Sequence, residues 1–153
     1  MKTLEPIIQQ HPFFQGLPPR HLRLIVGCAK NARFDEGAML MREGEEANEF
    51  FLLREGLVSL EVYDPGRAQV RVQTIGAGEV LGWSWLFPPY RVQFSARALA
   101  PVRAIAFDGK CLRKKCEADH DLGYELMKRV AQVMMQRLQA TRLQLLDLYA
   151  AHA

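Results

Sequence analysis

No stretch of this 153-residue chain is long and apolar enough to span a bilayer. The opening Met1-Lys2-Thr3-Leu4-Glu5-Pro6 places an acid and a proline where a secretory signal needs an apolar run. Both absences predict a cytoplasmic protein with no membrane association. Cysteine is scarce: Cys28, Cys111 and Cys116 are odd in number and form no C-x-x-C. That excludes a Cys-only zinc or iron–sulfur centre and argues against a disulfide framework, so the expectation is reduced structural thiols. His11, His21, His120 and His152 are scattered without metal-ligand spacing, so no metal site is expected. There is no P-loop, dinucleotide fingerprint, nucleophile motif or acid–base constellation, which speaks against an enzyme. Low-complexity tracts and solenoid repeats are also missing. The net charge of +3 is small and dispersed, too little to mark a nucleic-acid surface by itself.

What the chain does have is 49% hydrophobic and 24% charged residues, the balance of an ordinary globular domain. The whole of 1–153 reads as one domain in three sections. Section 1–30 reads as helical pieces interrupted by Gly16-Leu17-Pro18-Pro19, with a helix over 20–29 that sets Leu22, Ile25 and Val26 on one face. Section 31–107 is punctuated by Gly37, Gly44, Gly56, Gly66, Gly76, Gly78 and Gly82, with short apolar or alternating runs between. Phe50-Phe51-Leu52-Leu53 is a candidate buried strand. Val58, Leu60 and Val62 alternate with Ser59, Glu61 and Tyr63; Asp64-Pro65-Gly66 is a turn; Val70, Val72 and Thr74 alternate with Gln69, Arg71 and Gln73. A further strand is expected over 102–107. The fold class expected is mainly β with flanking helices: an antiparallel β-barrel or jelly roll followed by a long helix.

Section 108–150 is helical, with Asp108 as an N-cap. Within it, Met127, Val130, Met134, Leu138, Thr141, Leu145 and Leu148 fall at steps of three and four between Leu122 and Tyr149. A stripe of that length outruns a small barrel. It predicts a parallel homodimer through the C-terminal helix; the alternative is a helix folded back on its own barrel.

Residues 76–98 break the strand pattern with three glycines, two prolines and a short apolar turn. Glycine-rich backbone at a helix start suits an anion, and Arg91 or Arg97 would supply a charge-assisted partner. The alternative is a packed crossover whose tryptophans are core. Lys110, Arg113, Lys114 and Lys115 form a basic cluster, read as a solvated helix face or as a surface for an acidic partner.

His11-Pro12-Phe13-Phe14-Gln15-Gly16-Leu17, then Phe34-Asp35-Glu36-Gly37, Arg42-Glu43-Gly44, Phe51-Leu52-Leu53-Arg54-Glu55-Gly56-Leu57-Val58 and Gly78-Glu79-Val80-Leu81-Gly82 follow one another in order. Together they resemble the cyclic-nucleotide-binding domain of the CRP/FNR regulator superfamily and of cyclic-nucleotide-dependent kinases. Arg137-Leu138-Gln139-Ala140-Thr141 is similar to the central helix of the bacterial catabolite regulator. The resemblance implies a cyclic nucleotide, cAMP-like, held by a cassette over 78–98 and sensed through the long helix. The positions it assigns to ligand are Gly82, Trp83, Ser84, Arg91, Val92 and Gln93, with Thr141 near the purine. Two departures stand out. The family's ribose-binding glutamate is Trp83 here, and its phosphate-binding arginine falls on Val92, with Arg91 one position earlier. Phe94 also replaces a family alanine.

Three functional expectations follow: a ligand-sensing regulatory domain that signals through a dimer helix; a degenerate-pocket interaction or accessory subunit of a larger complex, a redox complex among the candidates; or a truncated CRP/FNR-type transcription regulator. Read as a complete chain, it carries no helix-turn-helix after Ala153 and would not bind DNA alone.

Overall fold

The computed structural model describes residues 4–152. Prolines set the N-terminal turns. α1 (Glu5–Gln10) has Pro6 in its first turn, a 3-10 turn follows over Pro12–Phe14, and α2 (Pro19–Val26) opens on Pro19. α2 stops at Val26, short of the expected end, and buries Leu22 and Ile25. Eight strands follow: β1 (Ala29–Phe34), β2 (Met39–Met41), β3 (Glu49–Glu55), β4 (Leu57–Asp64), β5 (Ala68–Gly76), β6 (Val80–Leu81), β7 (Ser95–Ala98) and β8 (Val102–Asp108). They form two four-stranded antiparallel sheets, ordered β1-β8-β3-β6 and β2-β7-β4-β5. The sheets share one hydrophobic core but no continuous ladder, so the expected barrel is an open jelly roll.

β3 is central in its sheet, and Phe50, Phe51, Leu52 and Leu53 are all buried, which explains its unbroken apolar run. Phe50 meets Phe13 at 5.3 Å and Phe107 at 6.1 Å between ring centroids, tying the N-terminal turn to the sheet. β4 breaks its expected alternation. A bulge lies between Leu60 and Glu61, and both Ser59 and Glu61 are buried. Their polarity is answered across the sheet: Arg71 Nε donates to Ser59 Oγ at 2.9 Å, and Arg97 pairs with Glu61 at 3.5 Å.

His11 joins the N-terminal turn to β3. Its Nδ1 accepts from the Phe13 N–H at 3.2 Å, and Nε2 lies 3.2 Å from the Leu53 carbonyl oxygen. This arrangement suits the neutral ring, and burial lowers the His11 pKa despite the carbonyl contact that raises it. At pH values above the unfolded pKa of about 6.5, both states are neutral. Below it the unfolded chain takes up a proton that the folded one resists, so stability falls with pH until the folded pKa is passed. Melting temperature should therefore drop between pH 7.5 and 5, and His11→Gln should flatten that part of the profile. An identical slope in the variant would show that other groups carry the dependence.

After β8 the chain turns helical. Asp108 caps α3 (Gly109–Ala118) by accepting from the Cys111 N–H at 2.9 Å. Asp119 caps α4 (His120–Ala151), accepting from the Leu122 N–H at 3.2 Å and pairing with Arg20. That amide bond, and then the Arg20 contact, hold its carboxyl below the usual range. α4 is 32 residues long and runs slightly beyond the expected span at both ends.

Two expectations need correction here. Cys28 and Cys111 are joined by a disulfide, with Cα atoms 5.7 Å apart, and only Cys116 is a free thiol. The cause is sheet register. β1 and β8 pair from Ala29↔Phe107, so the residue before β1 meets the first turn after β8 across 83 positions of sequence. The second concerns the helix stripe. Val130 belongs to the inner face of α4, buried with Leu122 and Leu126 against the jelly roll. Met127, Met134, Leu138, Leu145 and Leu148 are exposed, and Ala131 takes Val130's place in that outer stripe.

Candidate functional site

The cassette begins where β6 pairs with β3 through Phe51↔Leu81 and Leu52↔Val80. Gly82 then turns with φ 89°. A Cβ there would lie 2.7 Å from Met41 Cε and 2.9 Å from the Glu49 carbonyl oxygen, so only glycine fits. A 3-10 turn follows over Trp83–Leu86.

The two tryptophans of this turn have opposite environments. Trp85 is 1% exposed and packs on Phe50 at 6.1 Å between ring centroids. Gly109 makes room for it, since a Cβ there would stand 2.7 Å from Trp85 Cβ. Trp83 is half-buried and meets Phe94 edge-on at 6.2 Å. Over its ring, 4.6 Å from the centroid, lies the guanidinium of Arg137 from α4. Arg137 Nη2 also donates to the Val80 carbonyl oxygen. Burial pushes the Arg137 pKa down to about 10, opposed by the Glu79 carboxylate, so the group stays charged at neutral pH. Its Nη1 is buried and finds no acceptor among the described residues.

The other sequence-predicted positions are dispersed. Ser84 is half-buried, and its carbonyl accepts from the Phe87 N–H. Arg91 is exposed, and its backbone bridges Glu46. Val92 is buried, with its amide and carbonyl used by Glu45 and Gly44. Gln93 is exposed and donates to the Arg91 carbonyl at 3.1 Å. Thr141 is exposed and donates to the Arg137 carbonyl one turn back on its own helix, at 2.9 Å. The structure thus gathers Gly82 and Trp83 with Phe94 and Arg137, and leaves Arg91, Gln93 and Thr141 at the surface.

Two cavities flank this group. One, of about 100 Å3, lies among Leu40, Met41, Glu49, Phe51 and Val92. It is well under the about 300 Å3 at the small end of ligand pockets. The other, of about 390 Å3, lies beyond Arg137 among Pro12, Gln73, Glu79, Arg129 and Gln136. Arg137 belongs to the helix segment that carries the family resemblance but is not among the positions assigned to ligand. Its signal was positional: it continues the inner face through Leu126, Val130 and Val133, where a charge must have a buried partner.

The jelly roll, the glycine-opened cassette and the long terminal helix define a regulatory ligand-binding class. A family model described as "Cyclic nucleotide-binding domain" matches residues 32–119, and this chain belongs to that family. It is similar to a candidate cyclic nucleotide-binding protein from Geobacter metallireducens GS-15, with 31% identity, a TM-score of 0.80, and coverage of 90% of this chain and 99% of that one. A cyclic nucleotide-binding domain from Methylobacillus flagellatus KT shares the fold, with a TM-score of 0.82 at 15% identity, over 96% of this chain and 86% of that one. In sequence, 69 residues are 33% identical to human cGMP-dependent protein kinase 2, which is 44% of this chain but 9% of the kinase. The sensor domain of the transcriptional regulator DNR from Pseudomonas aeruginosa shares the fold, with a TM-score of 0.69 at 19% identity, over 90% of this chain and 95% of that one. Among the described residues, no helix is long and apolar enough to cross a membrane.

Proposed function

We propose that this chain is a dimeric regulatory module whose cassette is closed from within, and whose α4 is both the pairing element and the output. The observation that carries the reading is the stack of Arg137 on Trp83. It places a cation from the long helix over the residue that stands where the family has its ribose-binding glutamate. Val92, in place of the phosphate-binding arginine, adds no charge. A cyclic nucleotide entering here would lose both charged contacts, one to the ribose and one to the phosphate, each worth about 1.5–3 kcal/mol, and would have to displace the stack. On this reading the module works through protein partners, as an adaptor or accessory subunit.

The test is thermal stability with cyclic AMP and cyclic GMP, the latter because of the kinase match. A ligand at 100 times its Kd stabilises by about 2.7 kcal/mol. For a chain of this size that raises the melting temperature by roughly 5 °C or more. We expect no saturable shift at millimolar nucleotide, and a shift of that size would overturn the closed-cassette reading.

One observation favours a second reading, a sensor for an anionic nucleotide. The buried Nη1 of Arg137 lacks an acceptor, and a phosphate oxygen would supply one. Under that reading the ligand engages α4 directly, and Arg137→Ala abolishes its stabilising effect.

A further inference from the structure

The Cys28–Cys111 bond stands where the N-terminal helices, the sheet and α3 meet. Cys28 is 7% exposed and lines an open cleft of about 380 Å3 together with Lys30, Asn48, Glu49 and Asp108, so the approach to its sulfur from solvent is through that cleft. Cys111 is half-buried in the first turn of the 10-residue α3, with its amide held by Asp108. The aligned N–H groups of a helix start favour a thiolate, against the Asp108 carboxylate, while neighbouring Lys110 is paired with Glu46 at 3.6 Å. Cys111 is therefore the better leaving sulfur. The third cysteine does not compete. Burial, then Asp119 and Glu117, push the Cys116 thiol up to about 11, which leaves it protonated at neutral pH.

α3 also connects the bond to the rest of the module. Arg113 Nη1 donates to the Trp85 carbonyl at 2.6 Å, and the guanidinium lies 4.0 Å from the Tyr90 ring centroid. At the other end of α3, Cys116 comes against Gly123 of α4, where a Cβ on the glycine would stand 3.2 Å from the Cys116 carbonyl oxygen. The Cys28–Cys111 bond thus pins one end of a helix whose middle touches the cassette and whose far end touches α4.

We propose that Cys28–Cys111 is a thiol–disulfide exchange site for small thiols of the glutathione class, and that its opening loosens α3. An incoming thiolate bonds to Cys28 Sγ, the Cys28–Cys111 bond breaks, and the electron pair leaves on Cys111 Sγ, which takes up a proton. A second thiolate attacks the sulfur of the bound small thiol. This releases the small-molecule disulfide and leaves Cys28 as a thiol. Two thiols are oxidised and one protein disulfide is reduced, with two electrons and two protons transferred. The proposal does not depend on whether the cassette is open or closed.

The experiment equilibrates the full chain in buffers of varied reduced-to-oxidised glutathione, quenches with acid, alkylates under denaturing conditions and counts modified cysteines by mass. We expect one alkylated cysteine per chain at the oxidising end and three at the reducing end. Three throughout would mean that the pair does not form. One throughout would make the bond a permanent crosslink. Either result overturns the proposal. Cys111→Ser should trap glutathione on Cys28, and Cys116→Ser should leave the midpoint unchanged. A bond lost in Cys116→Ser would also overturn it. Hydrogen exchange over residues 109–118 should become roughly tenfold faster on reduction. Unchanged exchange there would remove the link to α3.

Discussion

Leu138→Glu together with Leu145→Glu should convert the proposed dimer into a monomer of 17.4 kDa at micromolar concentration. The two leucines are 52% and 53% exposed on the isolated chain and lie seven residues apart. Ala131, Leu138 and Leu145 form one heptad row of α4, and Met127, Met134, Thr141 and Leu148 form the other. In a parallel pair each residue of a row faces its own copy. Burying a leucine contributes about 1.5–3 kcal/mol, so the four leucines of a dimer contribute roughly 6–12 kcal/mol. Their loss weakens association by four decades or more at about 1.4 kcal/mol per tenfold, before the repulsion between facing carboxylates is added. Sedimentation equilibrium decides the matter. Leu143→Glu is the control: Leu143 is 64% exposed but lies off both rows, and its substitution should leave the dimer intact. A dimer that survives the double substitution would place the interface elsewhere.

The second large effect separates the two tryptophans. Trp85→Ala should cost about 3–5 kcal/mol of folding stability, because it removes a fully buried indole packed on Phe50 and leaves a void. Part of the cost is offset, since the Trp85 Nε1–H finds no acceptor among the described residues. Trp83→Ala removes a half-buried ring and should cost about 1–2 kcal/mol. It also takes away the surface on which Arg137 rests. Denaturant melts of the two variants give the comparison. Equal losses would mean that Trp83 is as much a part of the core as Trp85.

The regular parts of this fold were legible because their periods are. The 3–4 spacing along residues 122–149 gives α4, and the apolar run Phe50-Phe51-Leu52-Leu53 gives a doubly covered strand. The side of α4 that packs inward was less clear. Val130 and Ala131 are neighbours on the helix, and only the position of the jelly roll decides between them. The disulfide had no local signal at all, because it follows from the β1–β8 register. Ser59 and Glu61 read as solvent-facing until the bulge after Leu60 and the partners Arg71 and Arg97 are known. In the cassette, the sequence marked the turn at Gly82 and both departures from the family pattern. It did not reveal Arg137, since an arginine on a helix ordinarily reads as solvated, and its stack on Trp83 joins residues 54 positions apart.

The close approach of Gly123 to Cys116 gives α4 a fulcrum. Arg137 is gripped at the cassette 14 residues further along, and Ala151 ends the helix another 14 residues on. At 1.5 Å per residue these points lie about 21 Å and 42 Å from the pivot. The helix then has the proportions of a lever with a ratio of about two, held at mid-span by Arg137. A sideways shift of about 1 Å where the guanidinium rests would reach the far end as about 2 Å, comparable to the element shifts by which packed helices switch between arrangements.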